Sequence, residues 1–438
     1  MAGDPDRREA GATEALLPEE SILTDDFLRE LMNVGEVDIL IGMATCNDAK
    51  TAGDVILAVR AGLLKYFPRQ RAVIINADCG SQDGTPDLVR AASISDIRHA
   101  SNLHALRTLH CVSTQVPGEP YGGAAVHTVL AAADLLRAST CAVFAPDSTA
   151  VEPDWVERLV RPVLRDSFDL VTPVYRRHKF DALLVRNLLY PMTRALYGRR
   201  LREPYALDFA FSGKLGSHLL GQDLWSQDSA QSGAETLLTI SALSGDFRVA
   251  QSFLGERPRR DQAPADLVPA IRRTAGALFW SLEGNYPVWS AAKESQPVAT
   301  IGAEHEVNVE PIRVDRTRLY EMFIRGVGEL EPVLKSILAP ATLAELQRLV
   351  GLPEDSLRYS SELWVQTVYE FAASYHKAVI SRDHIVQALA PLYRGRAFTF
   401  LAENGDASAD GIESYVEALC LTFERMKPRL LEMWAGGK

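Results

Sequence analysis

Short apolar runs alternate with longer amphipathic stretches between residues 37 and about 175. "VDILIGMAT" (37–45) predicts a buried strand, and "TAGDVILAVRAGLLKYF" (51–67) an amphipathic helix. "RAVIINAD" (71–78), "LHCVST" (109–114) and "CAVFAP" (141–146) predict three more strands, with helices starting at 85 and spanning 124–139. This alternation predicts parallel βαβ units with right-handed crossovers. Ligands of such sheets sit outside the carboxyl ends of the strands. Asn47, Asp78, Gly122 and Asp147 are all expected at that edge.

The pattern changes twice further on. Residues 170–260 mix short strands with irregular segments, among them the aromatic-rich "REPYALDFAFSG", and a Pro- and Gly-containing break follows at 281–302. From about 314 the apolar spacing is helical, as in "RLYEMFIRGVGELEPVLKSIL" and "SELWVQTVYEFAASYHKAVI". The expected organisation is a flexible acidic tail over 1–30, an α/β domain with a mostly parallel central sheet over 31–290, and a helical C-terminal domain over 300–438. The helical part carries more apolar residues than one stripe needs. It is therefore expected to pack on the first domain or on a second copy, as a homodimer.

With 47% hydrophobic and 24% charged residues, the 438-residue chain has the make-up of a soluble globular protein with ample core. A net charge of −11 disfavours phosphate backbones, so no nucleic-acid partner is expected. No apolar run reaches the roughly 20 residues of a membrane span, and "MAGDPDRREAGATEALLPEE" lacks an apolar signal core. The five cysteines (46, 79, 111, 141 and 420) form no CxxC pair and read as reduced thiols of a cytoplasmic protein.

Several stretches allow both a structural and a chemical reading. In "INADCGSQDGTPDLV", Gly80 and Gly84 can serve a tight turn capped by Asp83, or Asp78 can meet a base N–H beneath a ligand lying over Gly80. "ATCND" ends the first strand with polar groups that either bond locally or face the same ligand. "VPGEPYGGAAVH" opens a helix but lacks the Walker spacing and lysine; it is a flexible loop or a diphosphate cradle. "YRRHKFD" and "ERPRRD" are solvated charge runs or anion sites. Asp147 either ends a strand or binds a metal. Thr149-x-x-Glu152 ahead of Pro153 predicts a capping box. No HExxH, paired CxxC, GxSxG or GxGxxG motif is present.

The order strand–"ATCND", strand–"ADCGSQDGT", Gly-rich loop–helix, strand–"PDS" resembles the nucleotide-sugar domain of GT-A glycosyltransferases. "YRRHKFD…NLLYPMTRALYGRRLREPYALDFAFSG" and "GAETLLTISALSGDFRVAQSFLG" are similar to the retaining glucosylglycerate, mannosylglycerate and glucosyl-3-phosphoglycerate synthases, over about residues 37–260. The resemblance implies a GT-A, Rossmann-like fold and transfer of a hexose from a nucleoside diphosphate sugar to a small hydroxy acid such as D-glycerate. By implication Ala44, Thr45, Asn47, Asp78, Ser81 and Gly122 hold the nucleotide sugar, and Asp208 the donor hexose. Arg177, His178 and Lys179 hold the anionic acceptor, and Asp147 a catalytic Mg²⁺ or Mn²⁺.

The chain departs from the family pattern at five places. Ala145 stands where an Asp-x-Asp pair has its first acid, and "FLGERPRR" lacks the usual metal-binding His. Gly122 and His127 replace a Lys and an Arg of the Gly-rich loop, and Leu183 a Thr near the acceptor. "ALD" replaces "GGD" at Asp208. One Asp holds Mg²⁺ weakly, whereas Arg257, Arg259 or Arg260 would stabilise a leaving diphosphate without a metal. The alternative expectation is a catalytically impaired nucleotide-sugar-binding or scaffolding protein on the same fold; a nucleotidyltransferase ranks last.

Overall fold

A computed structural model of the chain describes residues 23–95, 108–117, 123–148, 150–222, 233–256, 267–302 and 314–436. The expected strands are β1 (Ile39–Thr45), β2 (Ala72–Asp78), β4 (Thr108–Gln115) and β5 (Thr140–Val143). They are joined by β3 (Ile94–Ser95), β6 (Leu170–Arg176), β8 (Phe209–Ser212), β9 (Val249–Glu256) and β11 (Ala299–Ile301) in one sheet of order β11-β9-β6-β8-β5-β1-β2-β4-β3. β7 (Arg199–Arg200) and β10 (Gln296–Pro297) form a separate pair. In the main sheet β8 is antiparallel to β5 and β6, and β3 to β4; every other pairing is parallel. The carboxyl ends of β1, β2, β4, β5, β6, β9 and β11 therefore share one edge, and Asp208 enters β8 from it.

Strand alternation divides the core in two. Ile39, Ile41 and Met43 point to one face, under α2 (Ala49–Tyr66) and α5 (Pro153–Asp166). Leu40, Val73 and Ile75 point to the other. There they meet α1 (Asp25–Val34), α4 (Gly123–Leu135), α7 (Gly213–Leu220) and α8 (Ala234–Ser244), while α3 (Thr85–Ala91) follows β2. Helix α5 owes its seat to spacing: Trp155, Val156, Leu159, Val160 and Val163 are buried together. Gly62 lets α2 approach it, since a Cβ there would come within 2.4 Å of the Pro153 carbonyl oxygen.

Three sequence expectations fail for identifiable reasons. β5 ends at Val143, not 146, because the Ala145 N–H turns away to the Asp208 carboxylate and Pro146 has no N–H to offer. The capping box does not form: Glu152 is itself the N-cap, without a side-chain bond, and Pro153 opens the helix. Thr149 lies outside the described residues. The cysteines are not all free thiols, because Cys46 and Cys79 form a disulfide. Each directly follows its strand, one step past the Thr45/Asp78 register pair, so their Cα atoms come to 5.2 Å although 33 residues separate them in sequence. Cys111, Cys141 and Cys420 are free and buried.

The C-terminal region is helical, as expected, and includes α9 (Arg316–Glu329), α10 (Ser361–Lys377), α11 (Arg382–Glu403) and α12 (Ala409–Ala435). Its core is continuous with α6 (Tyr190–Tyr197) of the preceding region: Leu188, Met192 and Leu196 share a cluster with Trp289, Trp364, Tyr369 and Phe423. Buried polar groups fix the register of this packing. The fully buried Arg194 of α6 binds Glu417 through both Nη atoms (2.5 and 2.8 Å) and Glu424 through Nε (2.8 Å), both on α12. Trp364 Nε1 donates to the Asn187 carbonyl (2.7 Å), and Arg396 Nε to the Asn187 side-chain oxygen (3.2 Å). The buried Lys427 amine donates to the carbonyls of Leu196 (3.3 Å) and Ala292 (2.6 Å). No described helix is long and apolar enough to cross a membrane.

Arg194→Met keeps the volume of the side chain but leaves two carboxylates without their partner. Glu417 is 44% exposed and can rehydrate, so the expected loss is roughly 3 kcal/mol, the low end for breaking a buried pair. Urea unfolding midpoints of the two proteins measure it.

Candidate active site

Two features occupy the common carboxyl edge. The first is a polar cradle where β1 and β2 end flush, Thr45 opposite Asp78. Asp78 is fully buried, and four donors take up its oxygens: the hydroxyls of Thr45 (2.7 Å) and Ser81 (2.6 Å) and the N–H groups of Gly80 (3.0 Å) and Ser81 (2.7 Å). Its carboxylate thus shapes the turn from within. What the turn presents outward is Gly80, at φ +93, over which a Cβ would meet nothing within 4 Å. Beside it lies exposed Asn47 at φ +59, whose N–H donates to Ser81 Oγ (2.7 Å) and whose side-chain oxygen accepts from Gln82 N–H (2.9 Å). Ala44 is half-buried in β1 opposite Ala77. Ala49 N–H to Asp83 (2.9 Å) and the Cys46–Cys79 disulfide stitch the two strand ends together further.

The second feature is a cavity of about 950 Å³ beyond the ends of β6, β9 and β11. Its lining carries the cations Arg176, Arg177, Lys179, Arg186 and Arg202, against the acids Glu203, Asp410 and Glu413. One wall comes from the N-terminal part of α12: Ala409, Asp410, Ile412, Glu413 and Val416. Asp208 lies between cradle and cavity. Fully buried, it accepts from Ala145 N–H at the end of β5 (2.9 Å) and from the Tyr175 hydroxyl (2.7 Å), and Tyr175 lines the cavity.

All three acceptor candidates reach the cavity, each already bonded. Arg177 binds Glu203 (2.9 Å) and Asp181 (3.0 Å) and lies over the Tyr175 ring. Burial disfavours its charge, but those two carboxylates hold the guanidinium above the usual arginine value. His178 accepts from Phe180 N–H through Nδ1 (3.2 Å), and burial, then Lys179, pushes its pKa down. Lys179 Nζ donates to the carbonyls of Gly405 and Ala407, just before α12.

The remaining expected residues are placed as follows. Half-buried Asp147 follows β5. Among the described residues no group of three His, Cys, Asp or Glu side chains is placed to hold a metal ion. Without such a group the described residues do not make the multidentate oxygen set that Mg²⁺ or Mn²⁺ takes on a diphosphate, and Ala145 supplies only its N–H. Gly122, Arg257, Arg259 and Arg260 lie outside the described residues. His127, within α4, has its pKa pushed down to about 4 by burial.

Sequence reasoning missed the share of α12 in the cavity, together with Arg186 and Arg202, since nothing local marks them. It also missed Glu235, in the first turn of α8. Glu235 is buried, its Oε2 has no hydrogen-bond partner, and burial pushes its pKa up to about 7.

The chain is similar in structure to glucosyl-3-phosphoglycerate synthase from Mycobacterium tuberculosis, with a TM-score of 0.41 and 23% identity, covering 62% of this chain and 86% of that one. That synthase has been crystallised with Mn²⁺, uridine diphosphate and glucosyl-3-phosphoglycerate, and with Mg²⁺ and uridine diphosphate. Mannosyl-3-phosphoglycerate synthase from Rubrobacter xylanophilus is also similar, with a TM-score of 0.38 and 20% identity over 61% of this chain and 80% of that one. No protein-family model and no curated protein matches the chain.

Asp78→Asn replaces a four-fold acceptor by a group with one acceptor oxygen and a competing donor. It is expected to cost about 2 kcal/mol, read as a lower melting temperature. Glu235 gives a pH signature. Its folded pKa of about 7 exceeds the ordinary carboxyl value of 4.5, so the folded state binds more protons in that window. Stability should fall as pH rises from 4.5 to about 7, and Glu235→Gln should flatten that fall in urea titrations across the window.

Proposed function

We propose that the chain is a retaining glycosyltransferase that moves a hexose from a nucleoside diphosphate sugar to a small anionic hydroxy acid. The observation that carries this reading is the bond from Asp208 to Tyr175, which joins the cradle side of the edge to a cation-lined cavity. On this reading the nucleotide lies over Gly80 beside Asn47 and Ser81. The donor hexose extends toward Asp208, and the acceptor enters the cavity. The acceptor hydroxyl forms its bond to the anomeric carbon as the bond from that carbon to the diphosphate breaks. The hydroxyl proton passes to the leaving phosphate oxygen on the same face, so no protein nucleophile is required. Residues 31–290 form the transferase unit, and the helical unit over 300–438 supplies one wall of its acceptor site.

No step passes through a metal, because the described residues do not fit one. The chain's own contribution is positional and electrostatic: Asp78 fixes the turn, Asp208 and Tyr175 fix the junction, and the cavity's excess of cations favours an anion. A binding protein without catalysis would share the cradle but would not need the cavity.

The test is calorimetry of the full chain with UDP-, GDP- and ADP-sugars, with and without Mg²⁺ or Mn²⁺, followed by mass spectrometry of mixtures with small hydroxy acids. Binding of one donor and a glycosylated product are expected. Donor binding without any product across the acceptor panel leaves the non-catalytic reading, and no nucleotide binding at all removes both.

A further inference from the structure

The cavity's cations differ in one respect that the sequence does not show. Arg177 is held by two carboxylates, Arg202 by Glu413 (2.5 Å), and Lys179 by two carbonyls. Arg186 lines the same cavity, yet its guanidinium has no hydrogen bond or ion pair among the described residues. Burial lowers its pKa, Glu413 opposes that, and Arg202 and Arg177 lower it further. An arginine stays protonated nonetheless. A mostly buried, unpaired cation beside two others is a cost to the folded state, and a bound anion would offset it.

The backbone around Arg186 is held firmly. It lies in a π-helical turn, Val185–Leu189, that runs into α6, and such turns recur at functional sites. The next residue, Asn187, is fully buried and clamped by Trp364 and Arg396 of the helical part, and its own amide donates to the Leu183 carbonyl (3.1 Å). The side chain is thus poised by neighbours that do not neutralise it.

Building on the transferase reading, we propose that Arg186, rather than Arg177, His178 or Lys179, is the residue that anchors the acceptor's oxyanion. Its planar fork matches a carboxylate or a phosphate with two parallel N–H donors. Glu413 keeps Arg202 engaged and limits the charge the cavity tolerates. The acceptor is accordingly a compact molecule with one principal anionic group. Arg186 is a binding residue; it takes no proton and forms no bond.

The test compares wild type, Arg186→Gln and Arg186→Lys as full-length chains, titrated by calorimetry with inorganic phosphate and, separately, with glycerate. Wild type should bind at least one of them, and the stronger arm identifies phosphate or carboxylate. Arg186→Gln should weaken that binding about tenfold or more, and Arg186→Lys should restore part of it. A second readout separates anchoring from a structural role. Without anion, the melting temperature of Arg186→Gln should equal or exceed that of wild type, and the anion should raise only the wild-type value. Wild type binding neither anion, equal affinity in Arg186→Gln, or a drop in its anion-free melting temperature would each overturn the proposal. Donor calorimetry on the same samples keeps the two readings apart. Oxyanion binding through Arg186 with no nucleotide binding would sink the transferase reading alone. Transfer with an unchanged acceptor KM in Arg186→Gln would sink this one alone.

Discussion

The guanidinium of Arg194 is wholly buried in α6, and a buried cation is costly unless it is paired and hydrogen-bonded. It finds Glu417 and Glu424 on α12, more than 200 residues away in sequence. Those two ion pairs fix the axial register of a 27-residue helix against the sheet-bearing region. One turn before Glu417 stands Glu413, paired with Arg202, and before that Ile412 and Asp410, which face the cavity. The position of the cavity wall is therefore a consequence of where one buried charge is neutralised. Apolar packing alone would hold the same helices together with a less defined register, because Leu and Val tolerate sliding in a way that a bidentate ion pair does not.

Much of the α/β part was legible because its elements follow local rules. The unbroken apolar run of Ile39 to Met43, buried on both faces, and the helical spacing of α5 both stand in the sequence, and strands alternating with helices dictate a parallel sheet. The candidate edge followed from topology alone. Asp78 was expected at that edge and lies there, whereas Asp208 was singled out only by resemblance, and the partners of both were not legible. The Tyr175–Asp208 bond joins β6 to the entry of β8 across 33 residues, and no spacing rule marks it. The Cys46–Cys79 disulfide was missed for a related reason: register between parallel strands belongs to tertiary structure, and a count of cysteines carries none of it. Nor could charge content reveal the state of the "YRRHKFD" cations. Reading three cations in a row as an anion site counts the charges but ignores the carboxylates and carbonyls that fold onto them.

The edge as a whole shows a division of labour between groups that build it and groups that face outward. Asp78, Ser81 and Thr45 satisfy one another, so the cradle is rigid before any ligand arrives. Asp208 likewise spends both oxygens on neighbours, which places β5 and β6 relative to each other. Preorganisation of this kind lowers the ordering cost of binding, because the protein groups have already lost their freedom on folding.

The contact of Lys179 with Gly405 and Ala407 also has a temporal side. A chain leaving the ribosome has its whole polar cradle and all of β9 once residue 256 is out. The cavity wall needs residues 405–416, made some 150 residues later. At the usual synthesis rate of roughly 5–20 residues per second, that interval lasts on the order of ten seconds or more. During it the cradle exists without the finished cavity beside it. Nascent chains of that length have the β1–β2 turn complete and the cavity still open on the side that α12 closes.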